Sequence, residues 1–361
     1  MKTIQSQNIL IIGAGPTGLA AALEFAKNGV KVDIVEKRVG PSNLSKAIGI
    51  MPATLQLLGQ GVSKKIMAES IPFTRINMHV DTKRVLELDI KDKVNIAELM
   101  TGLPQDRTEE IIREQLQVHG IEVQYNKEVT QVNSLTDQAE VCFKNQAEKS
   151  NYDWVIACDG SNSITRQKLN IPYAGYALKE PWSIVDLELK DMGILKDISI
   201  WMKLNQEYNA VISFPIGPSR VRIISSTEDC LKAIPIELDI KTVHRQASFT
   251  IHIRQAKTYK KDKFLLAGDA AHCHSPVGGK GMNLGIEDAI EAVHAILNQT
   301  TDSYSKKRHK VGSRIIRESE FARKFIMSKS PMLKLIAKIV FSTVDKFNFV
   351  QAIAMRQISK L

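Results

Sequence analysis

Apolar and polar positions follow two different rhythms along this chain. Near the start, ILII (residues 9–12) is a continuous apolar run that closes on GAGPTG. Behind it, Leu19, Leu23 and Ala26 fall on one face of a helix expected to run to about Asn28. KVDIVE then reads as a second strand, ending at Glu36. A buried strand, a glycine turn, a helix and another strand within about 30 residues make a βαβ unit, which requires a parallel sheet.

Further on, 41–70 carries loops and a helix (ATLQLLGQG), and RINMHV and RVLELDI alternate like a hairpin of half-buried strands. Thr108 to Val118 reads as a helix whose TEEIIREQL opening resembles a capping box. IEVQYN and AEVCFK read as strands, and DWVIACDG as a buried strand ending on Asp-Gly. From about Pro172 to Lys261 the rhythm becomes alternating (SIVDLEL, AVISFPI, RVRIISS), which predicts an antiparallel sheet. The chain then returns to a buried strand, FLLAG, followed by GDAAHCHSPVGGKGMNLGIEDA. The helix expected from about Asn283 buries Ile286, Ala289, Ile290, Val293 and Leu297. No repeat or low-complexity linker interrupts this order, so the pattern predicts a discontinuous α/β fold with a β-rich layer inserted in it.

Composition adds bounds. At 361 residues, 43% hydrophobic and 24% charged, the chain has the make-up of a globular protein long enough for two domains. MKTIQSQNILIIGAG lacks a signal-peptide core, and no window approaches the roughly 18 apolar residues of a spanning helix. Cys142, Cys158, Cys230 and Cys273 have no paired spacing and are expected as reduced thiols in a cytoplasmic protein. Much of the net charge of +10 sits late: Ser303 to Leu361 holds fourteen Lys/Arg against three Asp/Glu. There, SKSPMLKLIAKIVFSTVDKF sets Met332, Leu333, Ile336, Ile339 and Val340 near helical spacing with lysines between them. A helix packed on the β-rich layer is expected, with peripheral membrane contact as the alternative. Basic residues are not interleaved with aromatics, so no nucleic-acid partner is expected.

The chemistry concentrates in the glycine-rich turns. Gly13, Gly15 and Gly18 form G-x-G-x-x-G between a strand and a helix: a tight turn, close backbone approach to a pyrophosphate, and close helix packing. The helix start offers free N–H groups and partial positive charge to phosphates. Glu36 can accept from ribose hydroxyls and disfavours NADP, whose 2′-phosphate it would repel; NAD and FAD remain open on this motif. LLAGD places Asp269 at the carboxyl end of a parallel strand, the ligand side of an open α/β sheet. His272 and His274 flank Cys273 without a matching Cys/His pair or acidic cluster, so no metal is expected. Cys158 reads as a buried strand-end thiol, and Ser161 and Ser163 lack a nucleophile-elbow context.

With these motifs in this order, the chain resembles the group A FAD-dependent aromatic monooxygenases, which share the fold of p-hydroxybenzoate hydroxylase. The phenol-hydroxylase-like and rifampicin-monooxygenase-like branch is the nearer likeness, from Ile9 to about Ala295. GAGPTGLAAALEFAKNGVKVDIVEKR is similar to the family's FAD unit, which implicates Gly13, Gly15, Pro16, Thr17, Gly18, Glu36, Lys37 and Arg38. SKAIGIMPATLQLLGQGV resembles the segment whose basic residue, here Lys46, approaches the FAD phosphates. LPQDRTEEIIREQL resembles the stretch with a flavin-contacting glutamine, here Gln105, and Val129 joins the implied cofactor set. VIACDGSNSITRQKL looks like the D-G motif that serves FAD and NAD(P)H, with Asp159 and Gly160, then Ser163 and Arg166. In the G-D motif the aspartate, Asp269, binds ribitol. Pro276, Gly279, Gly281, Met282 and Asn283 bring backbone and a helix start to the flavin ring. Lys280 stands where the family has glutamine or another polar residue: solvated, or a cation near the flavin.

The resemblance implies a Rossmann-like FAD domain (1–72, 97–171 and 262–300), an inserted antiparallel substrate sheet (73–96 and 172–261) and C-terminal helices (301–361). Larger phenol-hydroxylase-like members carry a thioredoxin-like C-terminal domain, which this chain is expected to lack. The implied reaction is hydroxylation of an aromatic or polycyclic small molecule with NAD(P)H and O2, through a flavin C4a-hydroperoxide. Alternatives are an oxidase or reductase of polyprenyl or quinone-type lipids on the same fold, or an FAD-binding protein without turnover. The halogenase W-x-W-x-I-P signature is not found. No catalytic acid or base is assigned.

Overall fold

The computed structural model describes residues 7–42, 45, 47–89, 95–146, 148–202 and 210–327. Lys46 and the tail from 328, with Met332, Leu333, Ile336, Ile339 and Val340, lie outside the described residues.

Strand Ile9–Ile12 is buried along its whole length and pairs in parallel with Asp33–Val35 on one side and Trp154–Ala157 on the other. Burial on both faces is why its apolar run is continuous. Val123–Gln124 and Phe264–Leu266 extend the parallel sheet at either end, and Lys260–Lys261 closes one edge antiparallel. Helix Pro16–Lys27 packs along helix Gly281–Leu297, far apart in sequence but side by side on the sheet.

Two helix starts differ from the expected ones. Gln105–Val118 begins ahead of Thr108, whose hydroxyl turns back to the Pro104 carbonyl (3.2 Å). The N–H of Gln105 is shared by the Ser45 hydroxyl (2.9 Å) and the Ala47 carbonyl (3.1 Å), so partners distant in sequence open this helix and not a capping box. The other helix begins at Gly281, ahead of Asn283.

The second layer is a seven-stranded sheet, ordered Ile240–Phe249, Trp182–Leu189, Arg220–Ser225, Ala210–Pro215, Ile198–Met202, Arg75–Val80 and Lys83–Asp89. Arg75–Val80 runs parallel to Ile198–Met202. The early hairpin is thus stitched onto the later strands, and the remaining pairings are antiparallel. Tyr173–Ala177 forms a separate small sheet with His252–Ala256 and His272–Cys273.

The two faces of the seven-stranded sheet differ. On the outer face Val185, Leu187, Trp201, Val211, Val221 and Ile223 form a closed core beneath the short helix Cys230–Ala233. On the inner face Ile200, Ile212, Phe214 and Ile224 stay half-buried. Phe214 and Ile200 pack against a cluster with Phe73, Met78 and Met100, and Ile224 against one with Trp182 and Ile253, while Ile212 lies between the two. Apolar side chains left partly uncovered between two packed clusters are the kind of surface that floors a ligand cleft.

Helix Thr301–Ile326 is tied back to the first layer through ions. Asp288, fully buried on Gly281–Leu297, accepts from the Gly268 N–H (3.2 Å) and from Arg308 Nε (2.5 Å), and its Oδ2 lies 2.5 Å from His272 Nε2. Burial alone would raise its carboxyl pKa, but the attraction of His272 and Arg308 outweighs burial and holds it below its ordinary value. Among the described residues no helix is long and apolar enough to cross a membrane.

Removing one partner of a buried ion pair strands the other. Asp288→Asn is therefore expected to cost about 3–5 kcal/mol in urea unfolding. Because the folded pKa is depressed, the carboxylate's contribution is full above an unfolded-state pKa of about 3.9. It is lost as pH falls through the lower folded value, so the variant should show a shallower acid limb in stability against pH.

Candidate cofactor and substrate site

The predicted residues converge at the carboxyl ends of four neighbouring parallel strands. Asp33–Val35 leads to Glu36, Ile9–Ile12 to the glycine turn, Trp154–Ala157 to Asp159, and Phe264–Leu266 to Asp269. The glycines of the first turn divide by what surrounds them. Gly13 has φ +100°, and a Cβ there would lie 2.4 Å from the Cys158 carbonyl oxygen; one on Gly18 would lie 1.9 Å from the Gly13 oxygen. Both are demanded by the fold itself. At Gly15 the backbone is extended and nothing stands within 4 Å of a would-be Cβ. Open space over bare backbone at a helix start is what a phosphate-bearing ligand needs.

Pro16 opens the helix, where a missing N–H costs nothing. Thr17 sits in the seam between the two long helices, its hydroxyl 2.6 Å from where a Cβ on Gly268 or Gly285 would lie. Glu36 is buried, and its carboxylate accepts from the Ala14 N–H (3.0 Å), the Arg38 N–H (3.0 Å) and the Arg38 guanidinium (3.1 Å). Burial pushes this carboxyl up, but the Arg38 side chain and the two amides outweigh that and hold it low. Lys37 is exposed.

Val129 is buried in the core of a separate three-stranded sheet. The chain just before it runs beside the site, with the Lys127 N–H on the Glu36 carbonyl (2.9 Å). Gln105 is already committed within the protein: its side chain accepts from the Ala47 N–H (3.0 Å) and donates to Glu109 (2.8 Å). It thereby holds the backbone at Ala47. Burial pushes the Glu109 carboxyl up, and nothing in the sequence had marked that residue.

Asp159 Oδ2 accepts from the Thr165 N–H and hydroxyl (3.1 Å each), while Oδ1 is shut off from water with no partner. Burial pushes this carboxyl up, with Ser163 and Thr165 pulling the other way. A buried orphan acceptor at a glycine turn is an invitation to a donor such as a ribose or ribitol hydroxyl. Next to it, burial pushes the Cys158 thiol well up, as for an inert structural cysteine. Ser163 caps the helix Ile164–Lys168. Arg166, almost fully buried, donates to the carbonyls of Ala270 (2.9 Å) and Ser161 (2.8 Å) and lies 3.7 Å over the Tyr173 ring. The Tyr173 hydroxyl donates to the Asp269 carbonyl (2.9 Å), so Arg166 and Tyr173 lock the D-G loop to the G-D turn. The Asp269 side chain itself is exposed.

Past Pro276 the chain turns on Gly279, whose N–H returns to the Pro276 carbonyl (3.0 Å). Met282 is buried, and Asn283 acts as a rivet: Oδ1 accepts from the Met51 N–H (2.8 Å), and Nδ2 donates to the carbonyls of Gly49 (2.9 Å) and Gly279 (3.1 Å). A Cβ on Gly279 would lie 4.0 Å from Met100 Sδ, and Met100 belongs to the apolar cluster of the inner sheet face. The glycine turn therefore abuts the cleft. Lys280 Nζ pairs with Glu318 on the later helix (3.4 Å). His274 Nδ1 lies 2.8 Å from the Ser275 carbonyl, and its Nε2 is buried without a partner.

A family model described as "FAD binding domain" matches residues 6–319. The chain is 26% identical over 352 residues to 6-methylpretetramide 4-monooxygenase of Streptomyces rimosus, covering 87% of this chain and 61% of that protein. It is 25% identical over 375 residues to rifampicin monooxygenase of Streptomyces venezuelae, covering 94% of this chain and 77% of that one. The crystal structure of p-nitrophenol 4-monooxygenase from Pseudomonas putida DLL-E4 superposes with a TM-score of 0.84 at 21% identity, covering 99% of this chain and 98% of the other.

The glycines make a sharp contrast testable. Gly15→Val is expected to abolish retention of FAD while leaving the apoprotein's melting temperature within about 2 °C, since no atom of the chain occupies that space. Gly13→Val should instead cost about 2 kcal/mol or more in stability, from strain at positive φ and the clash with Cys158. Flavin absorbance after gel filtration and thermal melts separate the two.

Proposed function

The chain belongs to the FAD binding domain family, and on that premise we propose that it is an FAD-dependent monooxygenase that hydroxylates an aromatic or polycyclic small molecule. The observation that carries this reading is the meeting of two unlike surfaces. A strip of glycine turns, carboxylates and a helix start abuts an apolar cleft floored by Ile200, Ile212, Phe214 and Ile224.

In this reading the parallel layer (1–72, 97–171 and 262–300) holds the cofactor and the inserted sheet (73–96 and 172–261) holds the substrate. Gly15 and the start of Pro16–Lys27 take the pyrophosphate, Glu36 the ribose, and Asp159 and Asp269 further hydroxyls. Bound FAD supplies the activation of O2, with electrons drawn from NAD(P)H. The first-turn N–H groups of Gly281–Leu297 would offer partial positive charge to the bound cofactor and would stabilise negative charge there. The apolar floor excludes water and lays a flat ring against the turn at Gly279.

Three activities on one preparation test the reading: retention of FAD, NADH and NADPH oxidation, and product formation with a panel of phenols and polyketides. Bound FAD, several-fold stimulation of oxidation by an aromatic substrate, and a product heavier by one oxygen are expected. Loss of FAD from the native protein would sink the reading. Substrate-independent oxidation that gives only hydrogen peroxide would point to an oxidase, and bound FAD without oxidation to a binding protein.

A further inference from the structure

The inner face of the seven-stranded sheet is apolar except at one corner. Strand register sets Arg245, Asp186 and Arg222 side by side on three adjacent strands, with Phe214 next in the row. Arg222 is fully buried and bidentate to Asp186 (Nε to Oδ1 2.6 Å, Nη2 to Oδ2 2.7 Å), so each carboxylate oxygen already has a guanidinium partner. Arg245, on the other side of Asp186, is half-buried on the edge strand. Its Nη1 donates to the Ser45 carbonyl, while its Nε is shut off from water without a partner.

Arg245 makes no ion pair among the described residues. Asp186, and after it Asp106 at the start of Gln105–Val118, favour its charge through space only, and Asp106 Oδ1 is itself buried without a partner. Burial and the neighbouring Arg222 both disfavour the Arg245 charge. A half-buried guanidinium with an unused donor, beside a carboxylate already paired to another guanidinium, is relieved by an anion from outside the chain. The next row along the same face is Ile184, Ile224, Ile212 and Ile200. Arg245 and Ile224 lie two strands apart, roughly 10 Å.

We infer that Arg245 is a specificity residue of the aromatic cleft, taking an ionised oxygen (carboxylate, phenolate or enolate) carried by a substrate whose fused rings lie along Ile224 and Ile212. The span favours two or more fused rings over a single phenol. This rests on the aromatic-cleft reading above and adds the charge and size of its ligand. Asp186 and Arg222 are positioning residues here: their pairing leaves Arg245 without a carboxylate of its own.

The test uses the FAD-loaded full chain and two near-isosteric probes, 2-naphthoate and 2-naphthamide, titrated calorimetrically. The wild type is expected to bind naphthoate about tenfold more tightly, the scale of one charge-assisted contact at a half-buried site. Arg245→Met should erase that preference while leaving naphthamide affinity within about twofold, and Arg245→Lys should keep part of it. Equal binding of both probes by the wild type, or a preference that survives in Arg245→Met, overturns the assignment. So does an Arg245→Met defect confined to NADPH affinity or FAD content, which would give the anion to a dinucleotide. If neither probe binds the wild type, the aromatic-cleft reading falls first and the inference with it. Thermal melts of both variants exclude misfolding as the cause.

Discussion

One buried carboxylate holds the two ends of the cofactor strip in place. Asp288 has no exposed surface and lies in contact with three segments: the turn at Gly268, strand residue His272, and Arg308 on the late helix. The turn it grips carries Asp269, and the helix it stands on begins at Gly281. The position of Asp269 relative to the helix start is therefore set by a buried charge some distance from it in sequence. Tyr304 reinforces the arrangement, donating to the Leu266 carbonyl (2.8 Å) at the end of the strand that leads into the turn. Low dielectric makes such a cluster strong when complete and costly when broken, which is how a flexible glycine-rich stretch can still present fixed geometry.

The second layer solves a different problem. A sheet normally buries one face and wets the other; here the outer face is a closed core, and the inner face is left partly uncovered against another layer of protein. The seam between the layers is anchored at the ends, by Met100 and Phe73 on one side and by Trp182 and Ile253 on the other, which keeps the middle open. Asn283 then fixes the glycine turn to the Gly49–Met51 segment that borders the same seam. Cofactor strip and cleft are thus held in register by side-chain amides binding backbone, a contact that tolerates little displacement.

The parallel layer was legible because its strands are continuous apolar runs that end on glycine, and these signals are local. The motif predicted a tight turn at Gly13 and close helix packing at Gly18, and a Cβ at either position would meet backbone. The start of Gln105–Val118 was not legible, because its first N–H is satisfied by Ser45 and Ala47, far away in the chain, while Thr108 with its downstream acid imitates a cap. Asp288 left a partial signal: like Asn283, it is a polar residue set among the apolar positions of its helix, and such a residue must have a partner. That the partner is Arg308 is tertiary information. The row of Arg245, Asp186 and Arg222 was hidden for the same kind of reason. Alternation assigns each residue a face, but only strand order and register decide who stands opposite whom.

Lys280 shows how such context changes the meaning of a single residue. Set among glycines at a helix start, it reads as a cation aimed at whatever the helix binds. Its Nζ instead leans 3.4 Å from Glu318, which is about half exposed, so the pair is screened and contributes little to stability. Electrostatically the pairing matters more, because a neutralised lysine adds little to the field at the turn. The first turn of a helix such as Gly281–Leu297 carries positive charge equivalent to about half a unit, fixed in direction by the backbone. A fixed dipole is better suited than a mobile side chain to stabilise charge that develops on a ring held in one orientation, since it needs no rearrangement as that charge appears. The lysine's contact with the late helix therefore adds little beside the buried pair of Asp288 and Arg308.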